Sequence, residues 1–216
     1  MGRHSKSKGG SFEREFCRDL SAWWSGGERD DLFWRTSTSG GRATVRAKQN
    51  KETYGMAGDV AATHPDASPF TEVLVVELKK GYNRDTVTQL LEVTETSVLK
   101  QYEEWIWKLH HEMLQHNRKG WLLVHKRDQH PAIAWMNKRL LVELGKKSVA
   151  GSWNTYLAEF GTTVQLRVTI REVKPKPKPK KGLMVGKGRL TMEIVGMGMD
   201  EFFYNIGPEE IKELVG

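Results

Sequence analysis

A chain of 216 residues is long enough to bury one hydrophobic core, and a net charge of +7 favours acidic partners. Its single cysteine, Cys17, excludes an internal disulfide framework and a Cys-rich zinc site. The chain has no long apolar run and no signal-peptide pattern. We therefore expect a soluble, intracellular protein without a membrane partner.

The positive charge is concentrated in two short segments. Arg3, Lys6 and Lys8 stand near the N-terminus, and residues 174–181 hold five lysines. The rest of the chain is close to neutral. Any nucleic-acid affinity is therefore expected from local patches and flexible arms rather than from the whole surface.

The first predicted element is a helix that begins at Ser11. Residues 1–10 are mostly glycine, serine and basic side chains and are expected to be flexible. Ser11 suits the N-cap, and Glu13 and Glu15 suit the positive end of the helix dipole. Apolar residues at helical spacing predict a buried face: Phe12, Phe16, Leu20, Trp23 and Trp24.

A strand and a polar loop are predicted next. Leu32–Ser37 has the apolar character of a strand, and residues 38–48 are rich in glycine, hydroxyl groups and cations. Such a loop can let a phosphate backbone approach closely and can donate hydrogen bonds to it. The alternative is a plain exposed loop. The candidate nucleic-acid contacts of this region are Arg35, Ser37, Ser39, Arg42, Arg46 and Lys48.

Two short apolar strands carry the candidate catalytic residues. The first is Gly58-Asp59-Val60, and the second, Val73–Lys79, ends in a glutamate and a lysine two residues apart. This spacing places Glu77 and Lys79 on one face of the strand. Two carboxylates can hold Mg²⁺, and a nearby lysine can orient a water or neutralise developing charge, which suits phosphodiester hydrolysis. The alternative is a solvated ion pair at the end of a strand.

The Glu-x-Lys pattern occurs three times, and the context of each copy differs. Glu77 closes an apolar strand that follows the Gly-Asp-Val segment. Glu172 leads into a Lys-Pro repeat, and Glu210 lies in a short helical pattern. The context therefore favours Glu77 and Lys79 as the functional copy.

A basic turn and a long helix follow the candidate site. Lys80 and Arg84 belong to the turn and are candidate phosphate contacts. A helix is predicted over residues 97–117, and its polar face is expected to look toward water. Lys108 is the residue of that face for which we expect an exception. Two further strands are predicted at Gly120–His125 and Ala132–Met136.

Further elements are predicted beyond Met136, and residues 182–216 could pack on the core or on a second subunit. The predicted elements are a helix at Ser152–Phe160, a strand at Val164–Ile170, a basic Lys-Pro spacer at 174–181, a strand at Leu190–Val195 and a helix at Gly207–Val215. The predicted organisation is a flexible N-terminus (1–10), one domain (11–173), the spacer (174–181) and an extension (182–216).

The order of these motifs resembles the PD-(D/E)XK nuclease superfamily, and within it the archaeal-type Holliday junction resolvases and related phage nucleases. The resemblance covers roughly residues 9–136. It rests on the segment Gly9–Glu15, the strand and loop at Arg35–Ser39, then Asp59, and the strand that ends in Glu77 and Lys79. It implies an α/β restriction-endonuclease-like core with a mixed β-sheet flanked by helices.

The resemblance also implies roles for individual residues. Asp59 and Glu77 would bind the metal, Lys79 would position the nucleophilic water, and Glu13 would assist through water or metal. The implied protein is a Mg²⁺-dependent endodeoxyribonuclease, with Mn²⁺ as a substitute ion. We expect it to act on branched DNA in recombination, as a homodimer. The alternatives are a DNA-binding or assembly protein that keeps the fold without turnover, and a sequence-specific restriction-type enzyme.

Overall fold

The computed structural model describes residues 3–36, 57–145, 156–158, 161–176 and 182–215. The helices in these ranges are α1 (Arg3–Trp24), α2 (Ser68–Val73), α3 (Gln101–Gln115), α4 (Lys138–Glu143), α5 (Met199–Asn205) and α6 (Pro208–Glu213). The strands are β1 (Phe33–Arg35), β2 (Val60–Ala62), β3 (Leu74–Lys80), β4 (Gly120–Lys126), β5 (Ala132–Asn137), β6 (Tyr156–Ala158), β7 (Gly161–Pro175) and β8 (Leu183–Gly198). None of these helices has the length and apolar character needed to cross a membrane.

A six-stranded mixed sheet forms the centre of the fold, in the order β3-β4-β5-β8-β7-β6. β3 and β4 are parallel, and every other neighbouring pair is antiparallel. The five residues from Leu74 to Leu78 are all buried, as is typical of a strand covered on both faces. The predicted α/β architecture with a mixed sheet and flanking helices is therefore confirmed.

Helices cover both faces of the sheet, and the alternation along β3 decides which residues meet them. Val75 faces the cluster formed with α3, whose members include Trp105, Ile106, Leu109, Trp121 and Leu123. Val76 faces the opposite cluster, whose members include Phe16, Leu20, Phe70, Leu122 and Phe202. Because side chains alternate along a strand, residues 75, 77 and 79 share the α3 face.

A separate two-stranded ribbon, β1 paired with β2, is attached to β3 at Gly58. The amide of Asp59 donates to the carbonyl of Val76 (2.6 Å). Gly58 has a φ of 77°, and a Cβ there would overlap the Val76 carbonyl. A residue with a side chain would therefore push the ribbon away from β3, and glycine allows Asp59 to lie beside that strand.

The N-terminal prediction differs from the structure. Helix α1 already begins at Arg3, so Ser11 lies inside the helix, and its predicted N-cap role is wrong. Gly10 is buried, and a Cβ at this position would lie 3.0 Å from the guanidinium of Arg35. This close packing offsets the low helix propensity of glycine. The predicted apolar face is confirmed for its buried residues: Phe12, Phe16, Leu20 and Trp24.

The C-terminal segment is part of the sheet rather than an extension. β8 lies between β5 and β7, with Val195 opposite both Met136 and Gln165. The predicted helix at Ser152–Phe160 is wrong where it can be compared, because Tyr156–Ala158 is a strand that pairs with β7. Strand pairing outweighs the local helical spacing there.

The predicted Lys-Pro spacer begins inside β7, which extends to Pro175 opposite Leu183. Proline is tolerated at this end of the strand because the ladder closes there. Residues 177–181 of the spacer lie outside the described residues. The predicted C-terminal helix is confirmed, and α6 begins with Pro208 at its first position.

Candidate active site

Glu77 is an ionisable residue buried between β3 and α3. Its side chain is only 3% exposed, and it contacts two lysines. Lys79 donates to Oε1, and Lys108 of α3 donates to Oε2 at 2.8 Å. Although burial alone would raise the pKa of Glu77, the charges of the two lysines lower it. The structure thus holds an ionised carboxylate in the interior.

Asp59 lies next to Glu77 because the ribbon joins β3 at Gly58. Its Oδ2 accepts a hydrogen bond from the amide of Leu78 (2.8 Å). Burial and the neighbouring charge of Glu77 raise the pKa of Asp59 to about 6. Two adjacent carboxylates repel each other when both are ionised. A bound cation would therefore stabilise their charged forms.

Lys108 is the functional candidate that the sequence placed least clearly. The polar face of its helix was expected to look toward water with Lys108 as the exception, and the Lys108 ammonium contacts Glu77. Although burial would lower the pKa of Lys108, the charge of Glu77 raises it. The available signal was its position between two buried residues of α3, Trp105 and Leu109. Helical spacing alone could not show that this edge packs on the strand that carries Glu77.

Glu13 and Arg35 form an ion pair with each other (3.0 Å). Both side chains are partly buried, with 16% of Glu13 and 24% of Arg35 exposed. Burial and the charges of Glu13 and Asp59 raise the pKa of Cys17 to about 12, which places this thiol near both carboxylates. Glu13 therefore lies on the side of the fold that holds Asp59. Arg35, predicted to contact DNA, is engaged by Glu13.

The predicted DNA-contacting residues fall into two groups. Lys80 and Arg84 are the described members of the first group, and the Lys80 ammonium lies 5.9 Å from the ring centroid of Phe12. Arg84 is exposed in the turn after β3. The other group lies outside the described residues: Ser37, Ser39, Arg42, Arg46 and Lys48.

The remaining Glu-x-Lys copies have structural partners. Glu172 pairs with Lys174 (2.9 Å) and accepts from the amide of Gly188 (3.0 Å). Glu210 accepts from the amide of Gly207 (2.7 Å) at the start of α6. Neither contact involves a second carboxylate, whereas Glu77 lies close enough to Asp59 to raise its pKa.

A mixed sheet with a Glu-x-Lys strand end, an aspartate held beside that strand and an N-terminal helix packed on the sheet is the arrangement expected of the PD-(D/E)XK class. A family model described as "Phage putative PDDEXK endonuclease" matches residues 4–178 of the chain. The protein belongs to this family, which confirms the predicted superfamily and indicates an endonuclease. The match does not distinguish junction resolvases from other members. No curated protein and no solved structure showed significant similarity to the chain.

Proposed function

We propose that the protein is a divalent-metal-dependent DNA endonuclease that hydrolyses phosphodiester bonds in branched DNA and acts as a homodimer. One observation carries the proposal: buried Glu77 lies beside Asp59 and contacts two lysines. A pair of buried acids is costly for a fold even when cations offset part of the charge. Such an arrangement is expected where the acids serve a function.

The side chains at the site are of the chemical type that binds a hard divalent cation. The part of the chain that the structure describes contains no cluster of three or more metal-binding side chains. Asp59 and Glu77 supply carboxylate oxygens, the ligands that Mg²⁺ prefers, and Mg²⁺ commonly uses only one or two carboxylates with water and phosphate. Burial and the charge of Glu77 raise the pKa of Asp59 despite the nearby lysines, so a further cation would favour its ionised form. When bound, the ion would polarise the phosphate and acidify a water.

The lysines provide the remaining charge of the site. Lys79 and Lys108 contact different oxygens of Glu77, and both lower its pKa. An ammonium that leaves the carboxylate when DNA binds can neutralise charge that develops on the phosphate. Lys80 and Arg84 would contact neighbouring phosphates, and the lysines of residues 174–181 would add contacts that do not depend on sequence.

A second candidate function is DNA binding without turnover. It is favoured by the two lysines on Glu77, since both oxygens of this carboxylate are engaged. The two functions predict different results in one assay. Labelled four-way, forked and linear DNA should be incubated with the purified protein and Mg²⁺, Mn²⁺ or EDTA. Cleavage that needs the metal supports the nuclease, whereas binding without cleavage in either metal supports the alternative.

Substitutions at the two acids test the site assignment. Asp59→Asn and Glu77→Gln should each reduce cleavage by at least about 100-fold, because a lost carboxylate removes a metal ligand. DNA binding should change little, since both acids repel phosphate. Lys79→Ala should behave in the same way. Cleavage rates and binding isotherms on the same DNA provide the measurement.

Matched controls come from the other two Glu-x-Lys copies. Glu172→Gln and Glu210→Gln should retain wild-type cleavage, because their backbone partners lie in the neighbouring strand β8 and at a helix start. Equal losses at all three glutamates would contradict the choice of Glu77.

A further inference from the structure

The turn after β3 presents an exposed aromatic ring at the edge of the active site. Tyr82 is 48% exposed. The ring of Tyr82 packs in an edge-to-face arrangement with the ring of Trp105, with the ring centroids 5.1 Å apart and the ring planes at 82°. The Lys79 ammonium lies 5.9 Å from the ring centroid of the same tryptophan. A single side chain therefore separates Tyr82 from the lysine of the site.

The backbone of this turn is unusual and well braced. Tyr82 has a φ of 52°, a left-handed conformation that residues with a Cβ rarely adopt. The amide of Gly81 donates to the carbonyl of Lys126 (3.0 Å). Asn83 and Asp128 exchange two hydrogen bonds (3.1 and 2.8 Å). Strained residues that the surroundings hold firmly cluster at functional sites.

A buried polar chain fixes the turn from below. His125 Nε2 lies 2.9 Å from the carbonyl of Gly81, which can only accept, so this nitrogen carries the proton. Nδ1 is then the acceptor, and the hydroxyl of Tyr102 donates to it (2.7 Å). Burial lowers the pKa of His125, in agreement with a neutral ring. Hydrogen bonds thus join Tyr102, His125 and Gly81, and they restrict the movement of the turn.

We propose that Tyr82 stacks on an unpaired base next to the scissile phosphate and thereby selects DNA with an unstacked nucleotide at the cut. The inference rests on the proposed nuclease function and specifies its substrate. In a continuous duplex, neighbouring base pairs cover the faces of each base, so an external ring finds no face to contact. At a fork or branch point a splayed base exposes its face, and aromatic side chains stack on such bases.

The test compares forked DNA that differs in one chemical group. One fork carries a normal unpaired nucleotide at the cut, and the other carries an abasic residue there. Tyr82→Ala should reduce kcat/KM by about tenfold on the first fork, as is typical for the loss of one base-stacking side chain. On the abasic fork, Tyr82→Ala and wild type should be equal. Tyr82→Phe keeps the ring and should restore the preference for the normal fork.

Two variants separate stacking from folding. Tyr82→Gly removes the ring but suits the left-handed backbone, so it should reproduce the effect of Tyr82→Ala without a loss of melting temperature. Tyr204 is an exposed tyrosine on α5, which packs on the opposite face of the sheet. Tyr204→Ala should match wild type on both forks.

The cleavage rates on the two forks decide whether the inference holds. Wild-type activity of Tyr82→Ala on the normal fork would overturn the inference, and so would equal losses on both forks. If wild type cuts no DNA in Mg²⁺ or Mn²⁺, the proposed function fails, and fluorescence anisotropy with the same two forks then decides the inference. Weaker binding of Tyr82→Ala to the normal fork alone supports stacking, and equal binding overturns it.

Discussion

The charge balance around Glu77 determines at which pH the site can work. Asp59 has a pKa of about 6, so it is ionised above that pH and protonated below it. A protonated acid is a poor metal ligand. Cleavage by the wild type should therefore fall as the pH decreases through about 6. Single-turnover rates at saturating DNA, from about pH 5 to about pH 9, provide the measurement.

Replacement of Lys108 should shift this profile in a defined direction. Lys108 lowers the pKa of both Asp59 and Glu77, so Lys108→Met should raise both pKa values, because burial is then opposed by fewer positive charges. An acid with a higher pKa is ionised only at higher pH. The acidic limb should move to higher pH in this variant and stay in place in Lys108→Arg. A shift to lower pH, or equal shifts in both variants, would contradict this account.

At the residue scale, the sequence predicts the reactive groups better than their partners. The order of Asp59, Glu77 and Lys79 along two strands is visible because strand periodicity fixes which face they share. The contact from Lys108 and the pairing of Arg35 with Glu13 depend on how helices pack on the sheet. Periodicity shows which helix face is polar, but it does not show which part of the sheet that face meets.

One buried ion pair fixes the start of helix α3. Arg171 of β7 donates to both oxygens of Glu103 (2.8 and 2.6 Å) and to three carbonyls of the preceding loop. The side chain of Arg171 is only 2% exposed, and that of Glu103 is 0% exposed. Although burial would raise the pKa of Glu103, the contact with Arg171 lowers it. The pair therefore positions the helix that carries Trp105 and Lys108.

Removal of this arginine should destabilise the fold. Arg171→Met should lower the free energy of unfolding by about 3 kcal/mol or more, because it leaves Glu103 buried without its cation. The matched control is Arg167→Met on the same strand, where the arginine is 61% exposed. There the loss should stay below about 1 kcal/mol. Urea unfolding of both variants measures the difference, and equal losses would contradict the assigned role.

At the element scale, strongly periodic segments are predicted well, and segments defined by distant pairing are not. Gly120–His125 and Val164–Ile170 lie inside strands as predicted, because their apolar pattern is local. Tyr156–Ala158 forms a strand only because β7 lies next to it. The Lys-Pro pattern likewise predicted an extended spacer outside the sheet, whereas pairing with β8 continues strand β7 to Pro175.

The whole sheet depends on a strand that follows the Lys-Pro segment. A chain that ends at Lys178, the last residue of the family match, lacks β8 and its buried residues Ile194, Val195 and Met197. We expect this fragment to lack a cooperative unfolding transition in circular dichroism. Addition of a peptide of residues 182–216 should restore the transition. A cooperative transition of the fragment alone would show that residues 182–216 are dispensable.

The proposed dimer has a consequence for the products. One active site cuts one strand, so resolution of a four-way junction needs two sites related by symmetry. The protein should sediment as a dimer and introduce paired nicks in opposite strands of the junction, with less cutting of linear duplex. A monomer both alone and with junction DNA, or equal cutting of linear duplex, would exclude the resolvase version while the general nuclease proposal would stand.

The central position of β8 also determines how the chain can fold during synthesis. Translation produces β3, β4 and β5 first, and then β6 and β7, but no described strand joins these two groups until residue 198 has been made. Until then β5 and β7 each expose an unpaired edge, which is where chains associate wrongly. The described sheet is therefore completed only when β8 joins these two edges, and its pairing with β5 is a non-local step that is expected to be slow.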